Sequence, residues 1–415
     1  MNVRKMAQLP LMVAVITIGA LWVSGCKDST IVGGQIVQPT ADVQIDTIPL
    51  SNLSTVKLPA YTGGLSHFSA GSYNDQLFGN VKATGLVQPT LAGVGTLDTL
   101  TDDSKITLHL YFSSVYGDTA ATQSYDLVEA SAPWRGREWK VDSAPPVGST
   151  VVGSFSVGDV NSLATDSLGD VDSVSVTLSQ DWVHQYRQAY YNSTNRDSSY
   201  IYNMPGFVVV PKSEGKILAF DATNSHLEVV TPKDTASFFI RDWAYSVDRT
   251  NVPNLSGNKM RMYSTFESVP KFDISVTSDN SVNINGVSLG TKSLSRVQML
   301  IYADSLQMKS SLPSGNIRPK VNYLQFYYLH KNNIEFEILN GPISGGTAYK
   351  VGPGVYSVDL TSRMNSILTG SDNTGSYYVV PQTHSGTLYS LLLNGTTDSL
   401  RAPKIIVTSV KSKNQ

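Results

Sequence analysis

Lys105-Ile106-Thr107-Leu108-His109-Leu110-Tyr111-Phe112 is the stretch on which the fold class turns. Apolar and polar residues alternate through it, so Ile106, Leu108 and Leu110 face one way, which is the two-residue period of a half-buried strand and not the 3.6-residue period of a helix. The run 123–129 is its expected partner, across a turn at Tyr116-Gly117-Asp118.

Runs of the same kind recur in both directions. Upstream lie 43–48, 54–58 and 81–87; downstream lie 171–176, 207–210, 216–220 and 226–230, the last two read as paired strands. Beyond them come 296–303, 323–328, 334–338, 377–380, 388–392 and 404–410. Helical spacing shows in two places. In 179–190, Ser179 or Asp181 can cap a stripe of Trp182, Val183, Tyr186 and Ala189, and a polar, tyrosine-rich loop follows over 191–202. Later, Asp359 precedes Leu360, Met364, Ile367 and Leu368, and Gly370 stands where helices end.

Setting Pro211 beside Pro381 suggests a duplication. Each half has an amphipathic helix, a polar turn, a hydrophobic strand ending in proline, a glycine-containing hairpin (213–215; 384–386) and another hydrophobic strand. The fold expected is therefore all-β: two tandem jelly-roll-like β-sandwich domains, 41–235 and 236–415, each closed by one short capping helix.

The first 40 residues read differently. Arg4 and Lys5 precede an apolar run over 9–23, too short and wrongly flanked to span a bilayer, and Val23-Ser24-Gly25-Cys26 closes it as a lipobox. Residues 1–25 are thus expected to be a lipoprotein signal peptide, and Cys26, the only cysteine, the lipidated N-terminus of the mature chain. Each buried acyl methylene contributes about 0.8 kcal/mol, so two or three chains anchor a protein without a spanning helix. Residues 26–40, small and polar with Gly33, Gly34 and Pro39, read as a flexible tether. With no second cysteine, an exported chain has no disulfide and depends on its core for stability.

Composition sets the remaining bounds. Losing Arg4 and Lys5 with the signal takes the formal charge from -2 to -4, which gives nucleic acid or an anionic membrane surface nothing to hold. Only 15% of residues are charged, and Ser, Thr, Gly, Val and Tyr are abundant, as in turn-rich extracellular β-structure.

Four stretches carry a resemblance. Gly71-Ser72-Tyr73-Asn74-Asp75-Gln76-Leu77-Phe78-Gly79 resembles the "G-S-Y-N-D-P-L-F-G" box of an uncharacterised surface-lipoprotein family of Bacteroidetes-type bacteria, with Gln76 where proline is usual, and Met204-Pro205-Gly206-Phe207-Val208-Val209 echoes that family's "F-P-G-L-Y-I" box. Lys27-Asp28-Ser29 resembles the lysine-then-acidic export signal of such lipoproteins. The end of the chain, 356–362 through 401–408, is similar to the last strands of the DNRLRE-type sandwich, some members of which bind polysaccharide. The first likeness implies an outer-membrane lipoprotein of no assigned activity, exposed at the cell surface; the second implies a jelly-roll-like sandwich and points toward glycan.

Chemistry is sparse. No His-Glu-x-x-His, cysteine pair or phosphate-cradling loop is present. The six histidines, His67, His109, His184, His226, His330 and His384, are scattered, and the acidic run Asp159, Asn161, Asp166, Asp170, Asp172 lacks the order of a calcium loop. No enzyme, cofactor or metal is expected. Aromatic residues give the one lead: Trp134 and Trp139 sit among charges in an apparent loop, and Tyr191, Tyr200 and Tyr202 cluster with Tyr190. Exposed rings of this kind serve sugars and protein partners alike; otherwise they cover the open ends of the sandwich. The function expected is a non-catalytic structural or interaction module, lipid-anchored in the outer membrane through Cys26, with an envelope protein as partner. The alternative is a lipoprotein that binds a surface polysaccharide, and a glycan hydrolase ranks last.

Overall fold

A computed structural model describes residues 41–412 other than 51–52, 98, 161–171, 193, 278–280, 290–292, 371–374, 383 and 399. The expected signal peptide, Cys26 and the expected tether lie outside the described residues, as do Asn161, Asp166 and Asp170. The described chain is mostly strand, arranged in sandwich and half-barrel fashion with a few short helices, as the all-β reading expects. No helix among the described residues is long and apolar enough to cross a membrane.

The first sheet is built around Lys216–Val230. Along one edge this strand pairs with Lys105–Asp118; along the other it pairs first with His67–Asp75 and then with Thr235–Thr250. The sheet continues through Gly79–Pro89, Phe207–Pro211, Gln123–Ala130 and Val147–Val157. It curls so that Val147–Val157 returns beside Asp172–Thr177. Inside lie Phe68, Leu108, Phe112, Tyr125, Phe207 and Phe220, and helices Gln180–Tyr191 and Arg196–Asn203 close one end with Trp182, Val183 and Tyr186.

The second sheet runs in the order Ala41–Pro49, Lys404–Ser412, Ser293–Tyr302, Val355–Asp359, Ile343–Gly352, Tyr323–Leu329, Gly375–Pro381, Val269–Val276 and the hairpin beyond it. Strands Tyr323–Leu329 and Gly375–Pro381 are buried on both faces. Tyr327, Leu329, Tyr378 and Val380 join the core of the first sheet, whereas Leu324, Phe326, Tyr328, Tyr377 and Val379 join a second core with Met364 and Ile367 of helix Thr361–Leu368. Burial on both faces explains why these segments read as unbroken apolar runs instead of alternating ones.

Several local readings change. Lys105–Asp118 runs straight through the expected turn at Gly117, and its neighbours are Lys216–Val230 and Asp172–Thr177; Gln123–Ala130 pairs instead with Val147–Val157 and Phe207–Pro211. The two expected strands 216–220 and 226–230 are one strand with a register shift between Asp221 and His226. A helix, Arg196–Asn203, occupies part of the expected loop, and 334–338 is helical, within Ile334–Asn340. In the latter, Glu337 reaches back to accept a hydrogen bond from the His330 backbone N–H at 2.9 Å, a local contact that outweighs the alternation of the sequence.

The supposed repeat survives only in part. Phe207–Pro211 and Gly375–Pro381 are both interior strands preceded by helices, yet neither forms a hairpin with the strand after it. Nor do the sheets divide at 235/236: Ala41–Pro49 is zipped to Lys404–Ser412 in the second sheet, and Thr235–Thr250 lies in the first. Long-range pairing places these strands, and composition shifts along the chain do not register it.

Candidate functional site

The box at 71–79 becomes a tight hairpin whose last pair is Asp75 with Gly79. Both terminal glycines are required. Gly71 and Gly79 have φ of 141° and 80°, and a Cβ on either would stand 2.2 Å from the Lys216 carbonyl oxygen or 2.5 Å from that of Thr250. The Asp75 carboxylate, 0% exposed, accepts five hydrogen bonds: from the Leu77 and Phe78 backbone N–H groups, the Tyr116 hydroxyl and two guanidinium nitrogens of Arg318 at 2.6 and 2.8 Å. Burial by itself would raise its pKa, but Arg318 and the N–H donors hold it below the ordinary carboxylate value.

Two more arginines converge on the same turn. Arg261 donates to the Leu77 carbonyl at 2.7 Å and Arg249 to that of Phe78 at 3.2 Å, while Arg249 also pairs with Glu267 and lies 4.0 Å from the Tyr263 ring centroid. The most distinctive motif of the chain therefore fastens the first sheet to the small sheet of Met260–Tyr263 and Ser390–Leu393 and to the segment leading into Tyr323–Leu329. Its carboxylate is saturated and has no lone pair open to a substrate.

The aromatic lead resolves into two groups. Trp134 is buried and donates to the Pro205 carbonyl at 2.7 Å; Trp139 meets it edge-on at 6.2 Å and donates to Ser246. Together they cover the outside of the first sheet over Leu86, Ala130, Val208 and Ala244. Tyr200 is buried too. Its hydroxyl donates to the Pro89 carbonyl at 2.8 Å, while the hydroxyls of Tyr186 and Tyr190 accept from the Ala92 and Leu97 N–H groups at 2.9 and 3.0 Å. These phenols peg the segment 89–97 to the helices. Trp134 and Tyr200 are thus buried, and Trp139 is partly buried.

Tyr191 and Tyr202 are exposed, at 52% and 60%. Tyr191 sits edge-on to Tyr190 at 5.0 Å and lines an open cleft of about 550 Å³ with Val94, Leu97, Asn192 and Arg196; Tyr202 is not part of it. The Arg196 guanidinium is held by the Ala92 carbonyl and by Asp197. A ring beside polar groups in a cleft of that size suits a small amphipathic ligand.

Sequence spacing misses one meeting. His109 and His226, on paired strands, stand 4.9 Å apart ring to ring with Tyr111 beside them, and His109 Nε2 lies 3.6 Å from Glu228. Their shared parity on strands 105–112 and 226–230 is the signal that could have found them, once the pairing is known. Among the described residues no group of three or more His, Cys, Asp or Glu side chains could hold a metal ion.

No family model matches the chain, and no curated protein does either. One solved structure, a crystal structure of the infectious bursal disease virus VP2 subviral particle, aligns with 90% of this chain and 78% of that one at 9% identity, with a TM-score of 0.11, a value that carries no argument about fold or function.

Proposed function

We propose that the protein is a non-catalytic module of the cell envelope, held to the outer membrane by lipid on Cys26, that presents a β-body for structural or interaction work at the cell surface. The observation that carries this reading is the fate of Asp75: the conspicuous box of the sequence uses its carboxylate for scaffolding, bound by Arg318, Tyr116 and two backbone N–H groups. The lipobox and the tether after it supply the attachment. The test is metabolic labelling with a radioactive fatty acid. Label should enter the wild-type chain and be absent from Cys26→Ser, which should fractionate with soluble protein. A Cys26→Ser chain that stays with membranes refutes the anchor.

A second reading, binding of a surface polysaccharide, is favoured by the Tyr191 cleft, where an exposed ring and the polar side chain of Asn192 line one hollow. Loss of glycan binding in Tyr191→Ala, with Trp134 and Trp139 intact, supports it. Turnover of any polysaccharide by the purified chain overturns both readings.

A further inference from the structure

A polar groove lies at the far end of the second sheet, where three strands finish side by side. Asp273, Ser376 and Leu329 are direct neighbours across Val269–Val276, Gly375–Pro381 and Tyr323–Leu329. One hollow of about 660 Å³ is floored by Ile274, Tyr328 and Leu329, and His330, Asn332 and Asn333 form part of its rim. A second, of about 330 Å³, lies among Ser275, Asn283 and Asn285. Asp273 lines both hollows. Each volume falls in the range of small-molecule sites.

The walls are fixed. Glu337 grips His330 at both its backbone N–H and its Nδ1, at 2.9 and 2.6 Å, so the 330–333 turn is tied to helix Ile334–Asn340. On the other side the Asn285 side chain accepts from the Asp273 N–H at 2.7 Å, and the Asn285 N–H donates to the Asp273 carbonyl. Gly375 leaves room for the Tyr328 ring, since a Cβ there would stand 2.4 Å from it.

The charges are largely matched in place. The Asp273 carboxylate takes Lys271 at 3.1 Å and the Ser376 hydroxyl, and Glu337 takes His330. What remains is a set of rim amides able both to donate and to accept. A divalent cation would want unpaired carboxylates in number, and an anion would want more cations than the single rim residue Lys331. We infer that this groove binds a neutral oligosaccharide, with sugar hydroxyls on the asparagine amides of the rim and adjacent sugar units on either side of Asp273. The inference rests on the second reading above, and places a site for it in the second sheet, apart from the Tyr191 cleft.

The test is isothermal titration of the full lipid-anchored chain in detergent with cellohexaose, xylohexaose and mannohexaose, and with a polygalacturonate fragment as charged comparator. At least one neutral hexasaccharide should bind, and Asn332→Ala and Asp273→Ala, both at exposed positions, should each weaken it roughly tenfold or more with melting temperature unchanged. Tyr191→Ala should leave that binding intact. Binding lost in Tyr191→Ala but retained in the groove variants overturns the groove and leaves the polysaccharide reading standing. Preference for polygalacturonate overturns the neutral class, and no binding to any of the four overturns groove and polysaccharide reading together.

Discussion

Arg318 closes a loop of 243 residues onto Asp75, gripping both carboxylate oxygens from a position almost free of solvent. Breaking a buried pair by removing one partner strands the other charge. Arg318→Ala is expected to cost about 3–5 kcal/mol, read as a lower urea midpoint. The paired change Asp75→Asn with Arg318→Met should recover part of that loss, because neither charge is then left alone.

Acid should weaken the protein in two stages. The residue His384 keeps some exposure, but its Nδ1 is shut off from solvent, with Phe266 and Tyr245 packed around the ring; burial depresses its pKa to about 4. Below the ordinary value near 6.5 the unfolded chain takes up a proton that the folded chain refuses, so stability declines as pH falls from about 6.5 to about 4, by up to roughly 3 kcal/mol. His384→Gln should flatten this part of a stability-against-pH curve.

The second stage belongs to Asp75. Its folded pKa lies below the ordinary carboxylate value, so its contribution is complete above about 3.9 and disappears as pH drops through the folded value. Arg318→Ala should remove that step in acid titrations followed by near-ultraviolet circular dichroism.

Gly79→Ala combines positive φ with a clash against the Thr250 backbone. Strain of about 1–3 kcal/mol is expected from the conformation alone, and more from displacing the Thr235–Thr250 strand. Thermal unfolding checks this, with Gly95→Ala as the comparison: that site has similar φ and open space around it.

Trp134→Ala and Tyr191→Ala should separate sharply. The first empties a packed site and should cost about 3–5 kcal/mol. The second removes a ring that is half exposed and should change stability by about 0.5 kcal/mol or less. Denaturant titration of the two variants side by side settles the comparison.

Local pattern was enough for most strands. Alternation at 105–112 and the apolar runs at 207–210 and 377–380 gave element type, because side-chain period reports burial directly. Pairing was not legible: nothing near Ala41–Pro49 announces that its neighbour is Lys404–Ser412, and adjacency in sequence misdirected 105–112 toward 123–129. The tryptophans misled for a related reason. Flanking Arg135, Arg137, Glu138 and Lys140 suggest exposure, yet the indoles turn inward while the charges remain outside. Asp75 stood out by its box, but Arg318, which binds it, and Arg249 and Arg261, which bind the turn beside it, come from separate segments and become a set only after folding.

The zipper between Ala41–Pro49 and Lys404–Ser412 bears on how the chain matures. Synthesised amino end first, the earlier ribbon must wait, unmated, until everything between the two has followed. That edge of the sheet is therefore completed only when Lys404–Ser412 arrives, and a product clipped before Lys404 would leave Ala41–Pro49 a loose end.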